Sequence, residues 1–584
     1  MLTKRYQLLL LAVVLLTAFY PATLADFSRI DDSGLRDALE QMRGWDLRSI
    51  FTPFTGGSYY RPLLIASFVL DKHLGLYPGL MHLENILLHL MNAILVYFLA
   101  LFVLPLSKSG KSLLPLVAAL VFGLHPVNSE SVNWISGRTD LMAGAFILSS
   151  VLLLLRYRQN NEKKYVVLSV IAFLCGILSK ETAVAFLPGF FLLMSYREGA
   201  NVGSTADHHA STYEPTAKRI FFAIGAAALV LMLFVLRTST LSHHDNRINM
   251  TLRYISNDWI HSLLVTLRAF GFYIKKLIVP YPLNFAILEV DPLYEVLGVP
   301  LAVMCIYIAT RRTMSGTLFL TGVCLIVPSF ILAFNQIAWT PYAERYVYIA
   351  SALLILSIVV SLKDSGVMYR PWLSIAVIIV LVIAFLSTFS RSIVWLDDLA
   401  LCRDTVEKSP LSRNMRVTYS GLLSEKGDYS EALRQLEHAR TIPFFGYDEK
   451  IDMGTAYVYY KQGKIDDAIA LSETVLRRTD GQSSGALDAL VVLLTNKKRT
   501  MKGHEGRAAV NRKIYAYAEK LFKMNDDPLL LFQLADIARE LGEQDRAVEL
   551  LKQSIDRKAD DEFYRQFAMN KIRRLSDGSS DTKR

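Results

Sequence analysis

The sequence predicts an all-α protein: a polytopic membrane helical bundle of about eleven spans followed by an α-solenoid of helical repeats. Three observations carry this prediction. Of 584 residues, 52% are hydrophobic and only 20% charged, with a mean hydropathy of +0.31, too apolar for a soluble enzyme, whose charged share is about 25%. The long apolar runs end before residue 390. Beyond that point small residues recur at a fixed helical spacing, the mark of a repeat array.

Apolar segments of span character lie at 7–24, 86–105, 113–125, 140–156, 165–179, 183–195, 219–237, 293–310, 315–334, 347–362 and 372–389. Several are short for a bilayer core of about 30 Å, so their ends are expected to extend into flanking polar residues. Orientation follows from Lys and Arg, which concentrate in short cytoplasmic loops. Lys4/Arg5, Lys108/Lys111, Arg156/Arg158/Lys163/Lys164, Arg197/Lys218/Arg219, Arg311/Arg312 and Lys363/Arg370 mark every second loop and are cytoplasmic together only if Trp259–Pro280 does not cross. In that stretch His261, Arg268 and Lys275 are seven residues apart, one polar stripe on an apolar helix lying in the interface. The first segment also suits a cleavable signal peptide, with Lys4/Arg5, a short apolar run and Ala22-Thr23-Leu24-Ala25; it is read as retained, and residue 26 onward starts outside either way. Cys175, Cys305 and Cys324 fall in apolar runs and leave Cys402 without a polar-region partner, so no disulfide framework is expected. The net charge of +10 comes from basic pairs beside apolar stretches, a pattern of membrane orientation and not of nucleic-acid binding.

With this orientation the outer face carries residues 25–85, the segment around 125–140, the turn at 179–183, residues 238–292, the stretch 335–346 and everything after 390. The expected domains are a membrane part at 1–390, a repeat part at 391–576 and a polar tail at 577–584. The compartment outside is the periplasm, cell exterior or lumen, depending on whether the membrane is a bacterial inner membrane or that of the endoplasmic reticulum. SEKGDYSEALRQLEHA, YKQGKIDDAIALSETV and RELGEQDRAVELLKQS share anchors at Gly427/Ala432/Ala439, Gly463/Ala468/Val475 and Gly542/Ala547/Ser554. The first two are 36 residues apart and the third another 79, about two periods, so a degenerate repeat holding ALDALVVLLTNKK and YAYAEKLF is expected between them. This pattern resembles tetratricopeptide repeats, whose stacked helix pairs form a concave surface suited to peptides; the plainer account is a structural cap.

Four outer-face groups hold polar residues that an apolar protein would otherwise avoid. Asp31 and Asp32 follow the first span, and adjacent carboxylates repel, raising one pKa into the range of a general base; a solvated loop or helix cap is the alternative. Tyr60 and Arg61 stand in YYRPL, where Arg61 matches a phosphate bidentately or pairs with a loop acid. Downstream, His82, Asn85 and His89 share a helix face, read as packed and hydrogen-bonded rather than as a metal site. HPVNSESVNWISGRTDLMA supplies His125, Glu130, Trp134, Arg138 and Asp140, suited to a sugar phosphate, against the plain account of an Arg138–Asp140 structural pair. Lys180-Glu181, Arg268, Lys275/Lys276 and Ala343-Glu344-Arg345-Tyr346 could hold an anionic lipid headgroup, or attract anionic lipids generally. No Gly-rich phosphate loop, zinc-ligand spacing or serine-nucleophile elbow is present.

In YYRPLLIASFVLD with HLENILLHL, HPVNSESVNWISGRTDLMAGAF, LSKETAV, FYIKKLIVPYPLN, AERYVYIAS and WLDDLALCRDTVEKSP, in that order, the chain resembles the transmembrane and tetratricopeptide-repeat protein O-mannosyltransferases and their bacterial relatives, of the C-type glycosyltransferase fold. The resemblance implies transfer of a sugar, such as mannose, from a polyprenyl-phosphate carrier to a hydroxyl on the outer face. It also implies an acidic base in the first outer loop, matched here by Asp31 and Asp32, although the surrounding loop departs from the family wording.

The residues fit this chemistry independently. A carboxylate deprotonates the acceptor while cations receive the leaving phosphate. Asp31 or Asp32 is assigned as base, Glu130 as a second acid orienting acceptor or sugar, and Arg61, Arg138, Lys276 and Arg345 as phosphate ligands. Tyr60, His125, Trp134, Asp140, Lys180, Arg268 and Tyr346 are assigned to substrate binding. No cofactor is required by the scheme; a divalent metal on the paired acids stays an alternative. The expected partners are the polyprenyl-phosphate sugar donor, a protein acceptor offering Ser or Thr and the membrane lipids, with no nucleic acid. Two other functions compete: transfer to a lipid or polysaccharide acceptor in envelope glycan assembly, and a non-catalytic membrane scaffold. A transporter is disfavoured because the ionisable groups cluster at one face.

Overall fold

The computed structural model describes residues 3–30, 32, 35, 36, 39, 50, 51, 60–75, 77–104, 112–196, 225, 255–311, 313–334, 340–367, 370–444, 446–502, 504–557 and 562–578. These residues are overwhelmingly helical, with one isolated antiparallel bridge between Ile287 and Tyr342. Two compact units divide at Pro410/Leu411.

The first unit contains α1 (Lys4–Phe19), α2 (Pro62–His73), α3 (Pro78–Val103), α4 (Leu114–Gly123), α5 (Arg138–Asn160), α6 (Lys163–Ser179), α7 (Phe186–Ser195), α8 (Trp259–Ile278), α9 (Leu293–Arg311), α10 (Met314–Leu332), α11 (Tyr348–Asp364), α12 (Pro371–Val394) and α13 (Asp398–Lys408). Proline opens α2, α3, α4 and α12 in the first turn, where its missing N–H costs nothing. Asp258 caps α8 by accepting from His261 N at 2.9 Å, and Thr313 caps α10 by accepting from Gly316 N at 3.0 Å.

Ten of the eleven expected apolar segments are helices; the eleventh, 219–237, lies outside the described residues apart from position 225. Among the described residues seven helices are long and apolar enough to cross a membrane, so the chain is a multi-pass membrane protein. Three other expected segments form α4, α6 and α7, of 10, 17 and 10 residues, shorter than the about 20 a span requires. Helix α8 is not among the seven. Arg268 of its expected polar stripe is turned onto α9, where it pairs with Glu295.

One apolar core runs through the bundle. Leu11, Leu15 and Phe19 of α1 are fully buried in it with Phe122, Leu148, Phe173, Phe186 and Leu353. Polar side chains bridge helices where no water can serve them. Ser150 and Ser169 join α5 to α6 at 2.7 Å, and the Tyr348 hydroxyl of α11 meets His89 at 2.8 Å and Asn92 at 2.9 Å on α3. By contrast, only 6% of the apolar window is buried in each of α9 and α12, which leaves those two helices to face lipid.

The second unit is a run of antiparallel helix pairs: α14 (Arg413–Glu425) with α15 (Tyr429–Thr441), α16 (Glu449–Lys461) with α17 (Ile465–Arg478), α18 (Ser484–Thr500) with α19 (His504–Asn525) and α20 (Pro528–Glu540) with α21 (Gln544–Arg557), followed by α22 (Glu562–Gly578). The pair α18–α19 occupies the position expected of the degenerate repeat. Gly427, Gly463 and Gly542 each end the first helix of a pair at φ +85°, +79° and +83°. At each, the next residue's N–H reaches back to a carbonyl five positions earlier, as Lys464 does to Tyr459 at 2.9 Å. That closure needs a left-handed residue, so glycine recurs there. The small anchors Ala432, Ala439, Ala468, Val475, Ala547 and Ser554 are all buried, which lets paired helices approach closely.

Candidate functional site

Most of the described polar residues singled out above lie where span ends meet short connecting turns. Residues His125–Arg138 are the hub. His125 precedes Pro126 and accepts from Val127 N through Nδ1 at 3.3 Å, while Nε2–H donates to Leu277 O at 3.0 Å. Both roles fit a neutral ring, and burial pushes this imidazole below the ordinary histidine range. A helical turn at Ser129–Asn133 then carries Glu130, and a tighter turn at Ile135–Gly137 leads into α5. Position 137 must be glycine for that turn, because a Cβ there would stand 2.4 Å from Ser131 O.

Asp32 meets this hub. It is 1% exposed; Oδ1 accepts from Ser136 Oγ at 2.9 Å and Oδ2 from Ser28 N at 3.2 Å. Ser28 is itself anchored, its hydroxyl donating to Asp398 Oδ1 at 2.8 Å and the next N–H, of Arg29, to Asp398 Oδ2 at 2.7 Å. Asp31 lies outside the described residues.

Beside the hub the expected phosphate ligands are paired with carboxylates. Arg61 forms a two-pronged contact with Glu181, Nε to Oε2 at 3.0 Å and NH2 to Oε1 at 2.8 Å, the side chains 17% and 29% exposed. Lys180 holds Asp140, with Arg61 and Arg345 near enough to repel its charge. Burial pushes the Lys180 ammonium below the usual lysine range, opposed by Asp140. Arg345 is bound to Glu130 through both its guanidinium and its backbone N–H, the latter at 3.0 Å, and lies over the rings of Trp134 at 5.2 Å and Tyr346 at 4.9 Å. Lys276 is paired with Glu344 at 2.7 Å, and Glu344 also accepts from Asn284 N at 3.0 Å. Glu130, expected to orient acceptor or sugar, is thus tied to Arg345 in this state, and Trp134, expected to stack on a sugar, is buried with Arg345 over its ring.

Two expectations change with the geometry. Asp140 pairs with Lys180, so the Arg138–Asp140 structural pair weighed as the plainer alternative does not form. Arg138 instead turns inward and is 1% exposed, with NH1 on Asp71 at 2.6 Å, NH2 on Glu84 at 3.0 Å, Nε on Asn85 Oδ1 at 3.0 Å and NH2 also donating to Met81 O at 3.1 Å. Its fork ties α2, α3 and α5 together and presents no face to a phosphate. Arg268 is held by Glu295 on α9, outside this row of pairs. Tyr60 OH donates to Phe51 O at 3.2 Å, and Tyr346 OH to Thr340 O at 3.0 Å. The helix face at Asn85 and His89 is packed and hydrogen-bonded as expected, Asn85 reaching Trp134 O at 2.8 Å and His89 Gly123 O at 2.9 Å. His82 is equally buried, but among the described residues neither ring nitrogen has a hydrogen-bond partner within normal geometry. Among the described residues no three His, Cys, Asp or Glu side chains converge to hold a metal ion.

The arrangement therefore offers a buried carboxylate joined through Ser136 to a hub, and beside it cations that a phosphate could draw away from their carboxylates. Arg61 is the most exposed of those cations, its side chain 17% and that of Glu181 29% exposed. Removing the Glu181 charge as Glu181→Gln is expected to change unfolding stability by about 1 kcal/mol or less, measured by thermal melting in detergent. A loss of several kcal/mol would make the pair a structural tie instead.

No family model matches the chain. Over 129 residues it is 34% identical to protein O-mannosyl-transferase Tmtc1 of Drosophila melanogaster, a stretch covering 22% of this chain and 14% of that protein. Human protein O-mannosyl-transferase TMTC4 is 33% identical over 150 residues, 23% of this chain and 20% of that protein. Xenopus laevis protein O-mannosyl-transferase tmtc2 is 37% identical over 99 residues, 17% of this chain and 11% of that protein. The chain thus resembles the TMTC proteins over a part of its length, and these matches span between 11% and 20% of the relatives' own length.

Proposed function

We propose that the chain is a membrane glycosyltransferase that moves a sugar, mannose by analogy with the names of its relatives, from a polyprenyl-phosphate carrier to Ser or Thr hydroxyls of a protein. The reaction is assigned to the non-cytoplasmic face, and the C-terminal unit, read as tetratricopeptide repeats, to holding the acceptor. The observation that supports this reading most is the buried Asp32, joined through Ser136 to the hub that also carries Glu130, the partner of Arg345, in a chain 34% identical over 129 residues to a named O-mannosyl-transferase.

In the proposed reaction Asp32 accepts the proton of the acceptor hydroxyl as its oxygen attacks the anomeric carbon. The bond from that carbon to the carrier phosphate breaks, and its electron pair leaves with the phosphate. Ser136 and Ser28 hold the Asp32 carboxylate in place for the attack. Arg61, Lys276 and Arg345 receive the growing charge, exchanging part of their contact with Glu181, Glu344 and Glu130 for phosphate oxygens. Lys180 and Asp140 maintain the field between them. The scheme uses no nucleotide and no metal.

Mass spectrometry of glycoproteins, and separately of envelope or lipid-linked glycans, tests this in cells carrying wild type or Asp31→Ala/Asp32→Ala at equal membrane levels. The expected result is loss of a hexose mass from defined Ser or Thr sites in the variant. Loss confined to lipid or polysaccharide glycans would reassign the acceptor. An unchanged glycan pool of both kinds would leave a scaffold as the better account.

A further inference from the structure

At the last turn of α12 the charges are arranged differently from the paired row. Asp404 of α13 accepts from Arg391 through Oδ2 and from Lys408 through Oδ1, each at 2.5 Å, so two cations share one carboxylate. Lys408 donates as well to Leu283 O at 2.8 Å, which fixes it at the rim. Beside this triad lies a groove of about 360 Å³ with Leu386 on its apolar wall and Arg391, Asp404 and Lys408 at its polar end. It continues onto the lipid-facing stripe of α12, where Ile379, Val382 and Leu386 are 53%, 53% and 58% exposed.

We infer that this groove binds the phosphodiester headgroup of an anionic bilayer phospholipid, with one acyl chain along Ile379, Val382 and Leu386. Charge selects the occupant: the triad carries one net positive charge, and a phosphodiester brings one negative. A hydrocarbon chain entering from the bilayer reaches the triad without crossing the protein, because α12 is open along its outer side. The sugar carrier is a poorer fit. Sugar transfer from a carrier held there would need a free base for the acceptor hydroxyl, whereas the only carboxylate among the described residues lining the groove is Asp404, which two cations already occupy. The site is thus one of binding and not of transfer, and it stands independently of the proposed reaction.

Native mass spectrometry of the full chain in mild detergent tests it, with phosphatidylglycerol, phosphatidylcholine and polyprenyl phosphate as probes. Wild type is expected to retain one phosphatidylglycerol about five-fold more tightly than phosphatidylcholine. Lys408→Gln and Leu386→Glu are each expected to weaken that retention about five-fold, with the melting midpoint of the lipid-free protein unchanged. Leu386 is exposed, so Leu386→Glu carries the test should Lys408→Gln fail to fold. Equal retention of both phospholipids, undiminished phosphatidylglycerol in the folded variants, or its displacement by equimolar polyprenyl phosphate would overturn the assignment.

Discussion

Arg138→Met is expected to destabilise the membrane unit by about 3–5 kcal/mol, although methionine is apolar, of similar length and suited to a helix. The cause is what remains behind. Arg138 and Asp71 are each 1% exposed by side chain, and the same guanidinium also serves Glu84, Asn85 and Met81 O. Without it two acids face each other with no cation between them, and two further acceptors lose their donor. Arg138→Lys should recover only part of the loss, since an ammonium cannot reproduce a fork spread over α2, α3 and α5. Arg138→Met combined with Asp71→Leu should recover more, because removing both members of a buried pair costs less than removing one. Unfolding in detergent, followed by the loss of monodisperse protein on heating, reads all three. A single Arg138→Met variant as stable as wild type would show the fork to be dispensable and reopen Arg138 to a role in binding.

Asp32→Asn is expected to lower sugar transfer by about 10²–10⁴-fold while leaving the fold intact. The substitution keeps size and lets Ser136 continue to donate to the side-chain oxygen, at the cost of the Ser28 N–H contact, and it removes the group that takes the acceptor proton. Asp32→Glu, which retains the carboxylate on a longer arm, should keep more activity than Asn. Asp31→Asn separates the adjacent acids: if it is silent while Asp32→Asn is not, the base is Asp32. Equal melting midpoints of the variants are required for the comparison, because Asp32 is buried and hydrogen-bonded.

The helices were legible in the sequence because their signals are local. Apolar runs mark the spans, and the recurring spacing from Gly427, Gly463 and Gly542 marks the repeats. The length of α4 was less legible, since an apolar run of 113–125 does not reveal that the helix itself covers 10 residues before the turn at His125. Residue type identified the site's members, but their pairing was hidden. Arg138 and Asp140 are two positions apart and of opposite charge, yet successive helical side chains at that spacing point to different faces. Asp140 therefore finds Lys180, 40 residues away, and Arg138 finds Asp71, 67 residues away. The Asp398 contact with Ser28, 370 residues away, was missed for the same reason, whereas in the Arg391–Asp404–Lys408 triad Asp404 and Lys408 are an i,i+4 helix pair and only the Arg391 partner, on the preceding helix, leaves no periodic trace. The acid-rich WLDDLALCRD segment was the available signal for both.

In the proposed reaction a carboxylate of the first loop drives sugar transfer from a lipid phosphate to a protein hydroxyl. Its most direct test is transfer by the purified full chain in liposomes, from polyprenyl-phosphate mannose to a Ser/Thr-containing protein acceptor, compared between wild type and Asp32→Asn. Wild type is expected to yield mannosylated protein and the variant a signal at least about a hundred-fold lower. Equal transfer by the two proteins, with the variant folded and inserted, would contradict it.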